Sequence, residues 1–297
     1  MPRTFPPDVL VLDTEVLLHA RLERGKKEAR IAQAKTWRIP PDTFAPALVT
    51  PDIANDEALA DVFRQLRAET GRWDKVSVLL PDAWFRINLI DLPSLPDKRQ
   101  EADEVIRWGL KRMLPISPAD LRLAWEILAR SSTGVKVLVV SAVEKTLAGV
   151  ETLLAAAGCE VVLMESVGLN IWNAVTSREP ATSGDRIFFY VRRSDFPTAV
   201  FRGSQPLFIR SRNLNGERSL IQEMKLSATY LRDTVRLNGV EQCYVAGSTL
   251  SPEVTRTISE EFGAPVRLVA LRDFVEQTAL DGAFEAELTA CTGVFTA

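Results

Sequence analysis

Histidine and cysteine are scarce in this sequence, and the shortage excludes several kinds of catalytic and metal site. His19 is the only histidine among 297 residues, so we expect neither a zinc site built on several histidines nor a Ser-His-Asp hydrolase. The three cysteines, Cys159, Cys243 and Cys291, lie far apart and form no C-x-x-C pair. Isolated cysteines of this kind are typical of small buried thiols in a reducing compartment. The sequence therefore predicts no metal ion and no catalytic residue.

Long apolar runs and a strong excess of charge are also absent. The longest apolar stretches, near 135–143 and 159–164, are far shorter than the roughly 18 residues that a membrane span needs. The first residues, MPRTFPPD, show no basic segment followed by an apolar run, so we expect no signal peptide. A formal net charge of -3 does not favour nucleic acid as a partner. These features predict a cytoplasmic protein that reaches a membrane only through another protein.

The composition that is present is typical of a globular protein with more than one core. Apolar residues make up 46% of the chain and charged residues 25%, and the length suffices for about two domains of ordinary size. A polar segment with proline and glycine at 179–185 predicts the boundary between them. We therefore expect a first lobe at 1–180 and a second lobe at 181–297.

Hydrophobic periodicity in the first half alternates between strands and helices. The predicted elements are a helix at 58–69, a buried strand at 76–80 with 84–92 as its neighbour, a helix at 97–114, strands at 121–128 and 135–142, a helix at 144–157 and a strand at 160–164. Asn55 or Asp56 is expected to cap the first helix, and Gly71 to end it. The segment at about 94–164 is predicted to form a compact α+β unit.

The second half follows a similar order of elements without sequence identity to the first. Its predicted elements are strands at 187–191, 198–201 and 207–211, a helix at 217–236, a strand at 242–246, a helix at 252–262, a strand at 266–269 and a helix from Asp273. Strands, then a helix, then a strand thus occupy about 9–80 and again about 187–246. This pattern favours an α/β fold with two lobes of the actin-like (ribonuclease H-like) kind, with the unit at 94–164 inserted in the first lobe.

Segments distributed over nearly the whole chain resemble, in their order, the type IV pilus assembly proteins of the PilM family. They are LLPDAWFRINLIDLPSLP (79–96), RWGLKRMLPIS (107–117), LRLAWEIL (121–128), GSQPLFIRSRNLNGE (203–217), YVAGSTLSPEV (244–254) and FGAPVRLV (262–269). The cell-division protein FtsA and the cytoplasmic domain of the type II secretion protein GspL share the general fold of that family. The resemblance implies an actin-like fold with a nucleotide cleft between the lobes. It also implies a partner, the cytoplasmic tail of the inner-membrane protein PilN, held beside the inserted subdomain.

The phosphate-binding turns that the resemblance implies are altered in this sequence. An actin-like cleft holds phosphates with two turns that each carry Asp-x-Gly, because glycine lets backbone N–H groups approach the phosphates. Asp13 and Thr14 match the first turn, but Glu15 occupies the glycine position and would repel phosphate. In the second turn, at about Arg192, both the aspartate and the glycine are missing.

The adenosine side of the cleft is partly kept, as Ala246-Gly247-Ser248. No Walker A pattern occurs elsewhere in the chain. We therefore expect no cofactor and no ATP hydrolysis, and the sequence leaves weak binding of ATP with magnesium open. The residues for such residual binding are Asp13, Thr14, Ala246, Gly247 and Ser248.

Arginines are concentrated between 186 and 218. This segment contains seven arginines and only two acidic residues. Guanidinium groups bind phosphates, lipid head groups and carboxylates well, which makes Arg192, Arg193, Arg210 and Arg212 candidates for an anion site. The alternative is that these arginines lie on the solvent side of a sheet and pair with acids elsewhere.

Aromatic residues near the insertion are candidates for a peptide-binding groove between it and the first lobe. Aromatic anchors are common in such grooves. The candidates are Trp84, Phe85, Trp108 and Trp125, together with the apolar Leu114. The alternative for each of them is a place in an ordinary core.

The sequence thus favours a non-hydrolysing adaptor of a type IV pilus or type II secretion-like machine, bound to a PilN-like tail at the inner membrane. The alternative is an active actin-like ATPase that binds ATP and magnesium in the interlobe cleft. A third hypothesis is a polymerising protein related to actin. The sequence decides neither between pilus and secretion system nor whether the chain forms a homo-oligomer.

Overall fold

The computed structural model describes residues 5–25, 29–45, 50–179, 182–193, 195–212, 214, 219–247, 250–276 and 284–294. The strands are β1 Asp8–Leu12, β2 Val16–Arg24, β3 Ala29–Arg38, β4 Phe44–Ala45, β5 Asp52–Ile53, β6 Lys75–Leu80, β7 Phe85–Leu92, β8 Leu121–Ser131, β9 Gly134–Val143, β10 Glu160–Ser166, β11 Asp185–Val191, β12 Thr198–Arg202, β13 Gln205–Arg210, β14 Val240–Gly247 and β15 Val266–Leu268. The helices are α1 Asp56–Thr70, α2 Arg99–Leu110, α3 Glu144–Ala156, α4 Val167–Thr176, α5 Leu220–Tyr230, α6 Pro252–Phe262 and α7 Glu285–Val294.

The first five-stranded sheet has the order β10-β6-β1-β2-β3. β1 pairs antiparallel with β2 and parallel with β6, and every residue of β1 is buried. Such full burial requires cover on both faces of the sheet, which is typical of strands at the centre of an α/β fold. On one face, α1 and α3 pack around a core that includes Phe63, Leu66 and Val150.

The second five-stranded sheet, β13-β12-β11-β14-β15, repeats the connectivity of the first. In both sheets, three antiparallel strands are followed by a helix and then by a strand that pairs parallel with the first strand. α5 and α6 cover the outer face through a core that includes Phe189, Phe196 and Met224. The duplicated order expected from the sequence is therefore confirmed.

Two helices, α4 and α7, lie between the sheets and share one apolar core with both of them. α7 contacts β1 and β2 of the first sheet and β14 of the second, although it lies near the end of the chain. Tyr190 of β11 adds a polar contact, since its hydroxyl donates to Glu287 Oε1 of α7 at 2.7 Å. Burial and the negative charge of Glu287 raise the pKa of this tyrosine well above its ordinary value.

A third sheet, β7-β9-β8, carries α2 on one face and forms its own small core. The prediction that 84–92 is the neighbour of the strand at 76–80 is wrong, because β7 pairs with β9 along its whole length. The unit placed at 94–164 is also shifted, since its strand at 160–164 belongs to β10, which pairs with β6 in the first sheet. The inserted sheet thus spans residues 85–143, while the lobe limits of 1–180 and 181–297 stay predictions.

Some helices are shorter than the sequence predicts. In these cases the helical spacing of apolar residues continues beyond the last helical turn. The helix expected at 97–114 is α2, Arg99–Leu110, followed by a turn. The helix expected at 217–236 is α5 and a π-helical turn at Leu231–Val235, with 217 and 218 outside the described residues. From Asp273 the structure shows no helix until α7, with 277–283 outside the described residues. In the described part of the chain, no helix has the length and apolar character for a membrane crossing.

Candidate functional site at the interlobe turns

The turn between β1 and β2 is closed by its own side chains. The Asp13 amide donates to the Val16 carbonyl at 2.9 Å, and the Thr14 amide donates to Asp13 Oδ1 at 2.7 Å. The Asp13 carboxylate thus accepts a hydrogen bond from the Thr14 amide, a backbone donor that an Asp-x-Gly turn would offer to a phosphate.

The turn after β11 faces this first turn and supplies a positive charge to it. Arg192 Nη2 donates to Asp13 Oδ2, and Arg192 Nε lies 3.4 Å from Asp195 Oδ1. The side chain of Arg192 is only 14% exposed and that of Asp195 only 2%. The structure thus joins a residue predicted for nucleotide binding to one predicted for anion binding. An arginine of this chain therefore lies between the two facing turns.

The charge of Arg192 is maintained by its carboxylate neighbours. Burial alone disfavours the guanidinium cation, but the charges of Asp13 and Asp195 outweigh it and raise the pKa of Arg192 above its ordinary value. The ion pair therefore persists at any pH at which the two carboxylates are ionised.

The residues kept on the adenosine side have structural roles. Gly247 pairs with Val191 in the β11–β14 ladder at φ +146°, and a Cβ there would lie 2.2 Å from the Val191 carbonyl oxygen. Ala246 is completely buried in the core between the sheets. Ser248 lies outside the described residues. Close strand packing is sufficient to explain the glycine, so it carries no independent evidence for a nucleotide.

Asp82 is a buried acid in this region that sequence reasoning missed. Its carboxylate accepts hydrogen bonds from Ser166 Oγ at 2.8 Å and from the Gly168 amide at 2.9 Å, at the start of α4. Burial raises the pKa of Asp82 to about 6, although these two hydrogen bonds favour its charged form. An acidic residue two positions beyond the carboxyl end of a buried parallel strand was the signal that could have identified it.

Asp82 predicts a pH dependence of stability. In the unfolded chain its carboxyl titrates near 3.8, while in the folded chain it keeps its proton up to about pH 6. Between these values the folded state binds more protons, so this group lowers the stability as the pH rises from about 4 to about 6. We expect Asp82→Asn to lose this part of the pH profile in urea unfolding measured from pH 4 to 7. The exposed Asp91→Asn is the control, and identical profiles for Asp82→Asn and the unmodified protein would contradict the assignment.

The aromatic residues predicted for a peptide groove do not lie together. Trp84 and Phe85 are buried in the core of the first lobe, where Trp84 makes an edge contact with Phe44. Trp108 is 71% exposed on α2, on the side opposite Ala102 and Ile106.

The other two candidates belong to the inserted sheet. Trp125 on β8 donates its indole N–H to Asp103 and lies under the Arg99 guanidinium, 4.1 Å from the ring centroid. Leu114 is half-buried against the core of the same unit. No single groove therefore includes all five predicted residues.

A groove does exist between the first sheet and the insertion. It has a volume of about 230 Å³ and is lined by Phe85, by residues of β8 and β9, and by 161–164 of β10. Arg122 on β8 fixes its geometry by donating to Glu144 at 2.9 and 2.7 Å and also to Glu151 on α3. The sequence predicted a peptide groove between the insertion and the first lobe and named Phe85 for it. It did not single out the other lining residues, because they depend on how two edge strands approach each other.

The four predicted anion-binding arginines divide into two groups. Arg192 is neutralised by Asp13 and Asp195, and Arg193 is exposed. Arg210 and Arg212 lie instead in a separate cavity beside the insertion. The proposed cluster of four is thus not one site.

The fold of this chain is actin-like, as two five-stranded sheets of the same connectivity indicate and as similarity to solved structures shows. A Bacteroides thetaiotaomicron protein with an actin-like ATPase fold superposes with a TM-score of 0.56 at 13% identity, covering 95% of both chains. The fold class expected from the sequence is confirmed.

Among the solved structures, a chain of the PilM-PilN type IV pilus biogenesis complex superposes with a TM-score of 0.77 at 19% identity, over 99% of this chain and 98% of that one. The cytoplasmic domain of EpsL, an inner-membrane component of the Vibrio cholerae type II secretion system, gives a TM-score of 0.51 at 11% identity, over 96% and 93%. The resemblance to PilM is therefore confirmed at the level of the fold. No protein-family model and no curated protein matches the sequence.

Proposed function

We propose that the chain is a non-hydrolysing actin-fold scaffold of a type IV pilus or type II secretion-like machine. The observation that carries this proposal is the ion pair between Asp13 and Arg192, which occupies the facing turns where an actin-like enzyme holds phosphates. The cavity that remains beside the pair measures about 110 Å³, and Glu15 lines it. Small-molecule sites are usually about 300–1,000 Å³, so a nucleotide would have to displace the arginine first.

The partner in this proposal is the cytoplasmic tail of a PilN-like inner-membrane protein, which would hold the chain at the membrane periphery. The groove between β10 and the inserted sheet is the place for that tail. β10 is the edge strand of its sheet, so its outer N–H and C=O groups face no further strand among the residues that the structure describes. An extended peptide binds to such an edge through main-chain hydrogen bonds, with pockets for alternate side chains.

Val162 allows a direct test of tail binding. It is 43% exposed at the irregular point of β10, lines the groove, and lies outside every buried core cluster of the described residues. We expect Val162→Asp to weaken binding of the tail peptide at least about tenfold, because a desolvated carboxylate costs more than 1.4 kcal/mol. The measurement is calorimetric titration of the full chain with a synthetic tail, taken from a neighbouring gene that encodes a short tail and one membrane span.

Leu268→Asp is the matched control, because Leu268 is 51% exposed on the edge strand of the other sheet. It should leave the affinity unchanged. If both substitutions weakened binding of the tail peptide equally, or if Val162→Asp did not weaken it, the groove would not be the binding site for the tail. Binding of ATP with magnesium at micromolar concentration, or its hydrolysis, would instead support the ATPase alternative and overturn the non-hydrolysing scaffold.

A further inference from the structure

A large cavity of about 670 Å³ lies between β7 of the inserted sheet and β13, the edge strand of the second sheet. The start of α4 forms its base, and α5 contributes Glu223 and Tyr230. Neither Asp13 nor Gly247 lines it, although Asp82 near the interlobe turns forms part of its wall. It shares only Phe85 with the groove proposed for the tail. Its volume lies in the range of about 300–1,000 Å³ that is typical of small-molecule sites.

Three arginines converge on this cavity without a carboxylate partner. Arg86, Arg210 and Arg212 line it, and none of them forms an ion pair with an acid among the described residues. Arginines outside the cavity, such as Arg202, have such partners. Arg86 is fixed in place because its Nη1 donates to the carbonyls of Ala83 and Phe85, each at 3.0 Å.

Arg210 at the end of β13 and Arg212 two residues beyond it repel each other at the cavity wall. Burial and the charge of Arg212 lower the pKa of Arg210. Arg212 Nε and Asn88 Oδ1 are buried without a hydrogen-bond partner, and unpaired polar atoms of this kind are costly. Two acids also belong to the cavity wall: Asp82 is hydrogen-bonded to Ser166 and Gly168, and the negative charge of Glu223 acts on Arg210. A bound anion would relieve the repulsion and supply an acceptor to Arg212 Nε.

We propose that this cavity binds a phosphorylated small molecule, with Arg86, Arg210 and Arg212 holding the phosphate. Guanidinium forks match phosphate oxygens in pairs. Phe208, Ile209 and Tyr230 line the same cavity and contact the organic part of the ligand. Inorganic phosphate alone would leave most of the volume empty, so a phosphate ester fits better than the free ion.

The test is calorimetric titration of the full chain with inorganic phosphate, glycerol 3-phosphate, magnesium-free ATP and a short-chain phosphatidic acid. We expect at least one of the three esters to bind more tightly than inorganic phosphate, and the strongest of them identifies a metabolite, a nucleotide or a lipid as the source. The double variant Arg210→Gln/Arg212→Gln should lose at least about tenfold in affinity, since hydrogen bonds to charged groups contribute about 1.5–3 kcal/mol each. Arg193→Gln is the control, an exposed arginine outside the cavity lining.

Arg210→Lys keeps the positive charge but removes the fork, so it should weaken binding several-fold and provides the test if the double variant does not fold. Absence of binding by all three esters would overturn the proposal. Equal loss in Arg193→Gln, or unchanged affinity in the arginine variants, would overturn it as well. None of these outcomes depends on tail binding, because the tail groove lies on other residues.

Discussion

Replacement of Arg192 by methionine is expected to lower the free energy of unfolding by about 3 kcal/mol. The substitution removes the guanidinium that lies 3.4 Å from the Asp195 carboxylate, whose side chain is 2% exposed. Asp13 loses its partner at the same time, and the nearby Asp82 loses the positive charge that favours its ionised form. Removing one member of a buried ion pair is costly because the other charge stays desolvated. Methionine keeps most of the apolar stem, so lost packing contributes little.

Urea unfolding at pH 7 measures this effect, with Arg30→Met as the control. Arg30 pairs with Glu23, but the two side chains are 49% and 48% exposed. Exposed pairs contribute about 0–1 kcal/mol, so the control should change little. Losses of the same size in the two variants would show that the Arg192 pair is no stronger than a surface contact. The double variant Arg192→Met/Asp13→Asn, compared with the two single variants, gives the interaction energy between Arg192 and Asp13. The remaining loss of stability then belongs to the contact of Arg192 with Asp195.

Gly293→Ala is expected to destabilise the protein by about 3 kcal/mol, the upper part of the range for overpacked cores. A Cβ at this position would lie 1.9 Å from the carbonyl oxygen of Asn170 and 2.7 Å from its carbonyl carbon. Asn170 cannot move away easily, because it is fully buried and its Nδ2 donates to the Ser166 carbonyl at 3.0 Å and to Glu165 at 2.9 Å. The clash therefore separates α4 from α7, the two helices on which both sheets pack.

Thermal unfolding of Gly293→Ala and of Gly109→Ala provides the comparison. Gly109 also lies in a helix, but a Cβ there meets only side-chain atoms, Leu92 Cδ2 at 3.4 Å and Ile90 Cδ1 at 3.7 Å. Alanine improves a helix interior by roughly 0.5–1 kcal/mol, so Gly109→Ala should keep or raise the stability. A melting temperature for Gly293→Ala within error of the unmodified protein would show that α7 shifts without cost.

Local structure was predictable wherever short-range chemistry specifies it. Asn55 caps α1 through a hydrogen bond from the Ala58 amide at 3.0 Å, and Gly71 ends the same helix, as its sequence predicts. The location of β7 was not predictable in the same way. Its apolar character predicts a strand, but strand partners are chosen by long-range pairing, and β7 pairs with β9 some 50 residues later.

The candidate sites also combine features that the sequence predicts with features that depend on long-range contacts. The sequence alone shows that neither facing turn carries Asp-x-Gly, in which glycine would allow the backbone to approach a phosphate. That Arg192 would cross to Asp13 is not visible, since 179 residues separate them along the chain. Trp84 and Trp108 are both aromatic residues near the insertion, yet one is 2% and the other 71% exposed.

The sequence by itself determined the helix caps, the repeated order of strands and helices, and the absence of the glycines that phosphate turns require. Each of these depends on neighbouring residues or on periodicity along the chain. Only the tertiary structure decided which charges meet, which edges form a groove and which arginines form no ion pair within the described part of the chain. These features arise from contacts between distant segments, whose geometry is set by the packing of two sheets around α4 and α7.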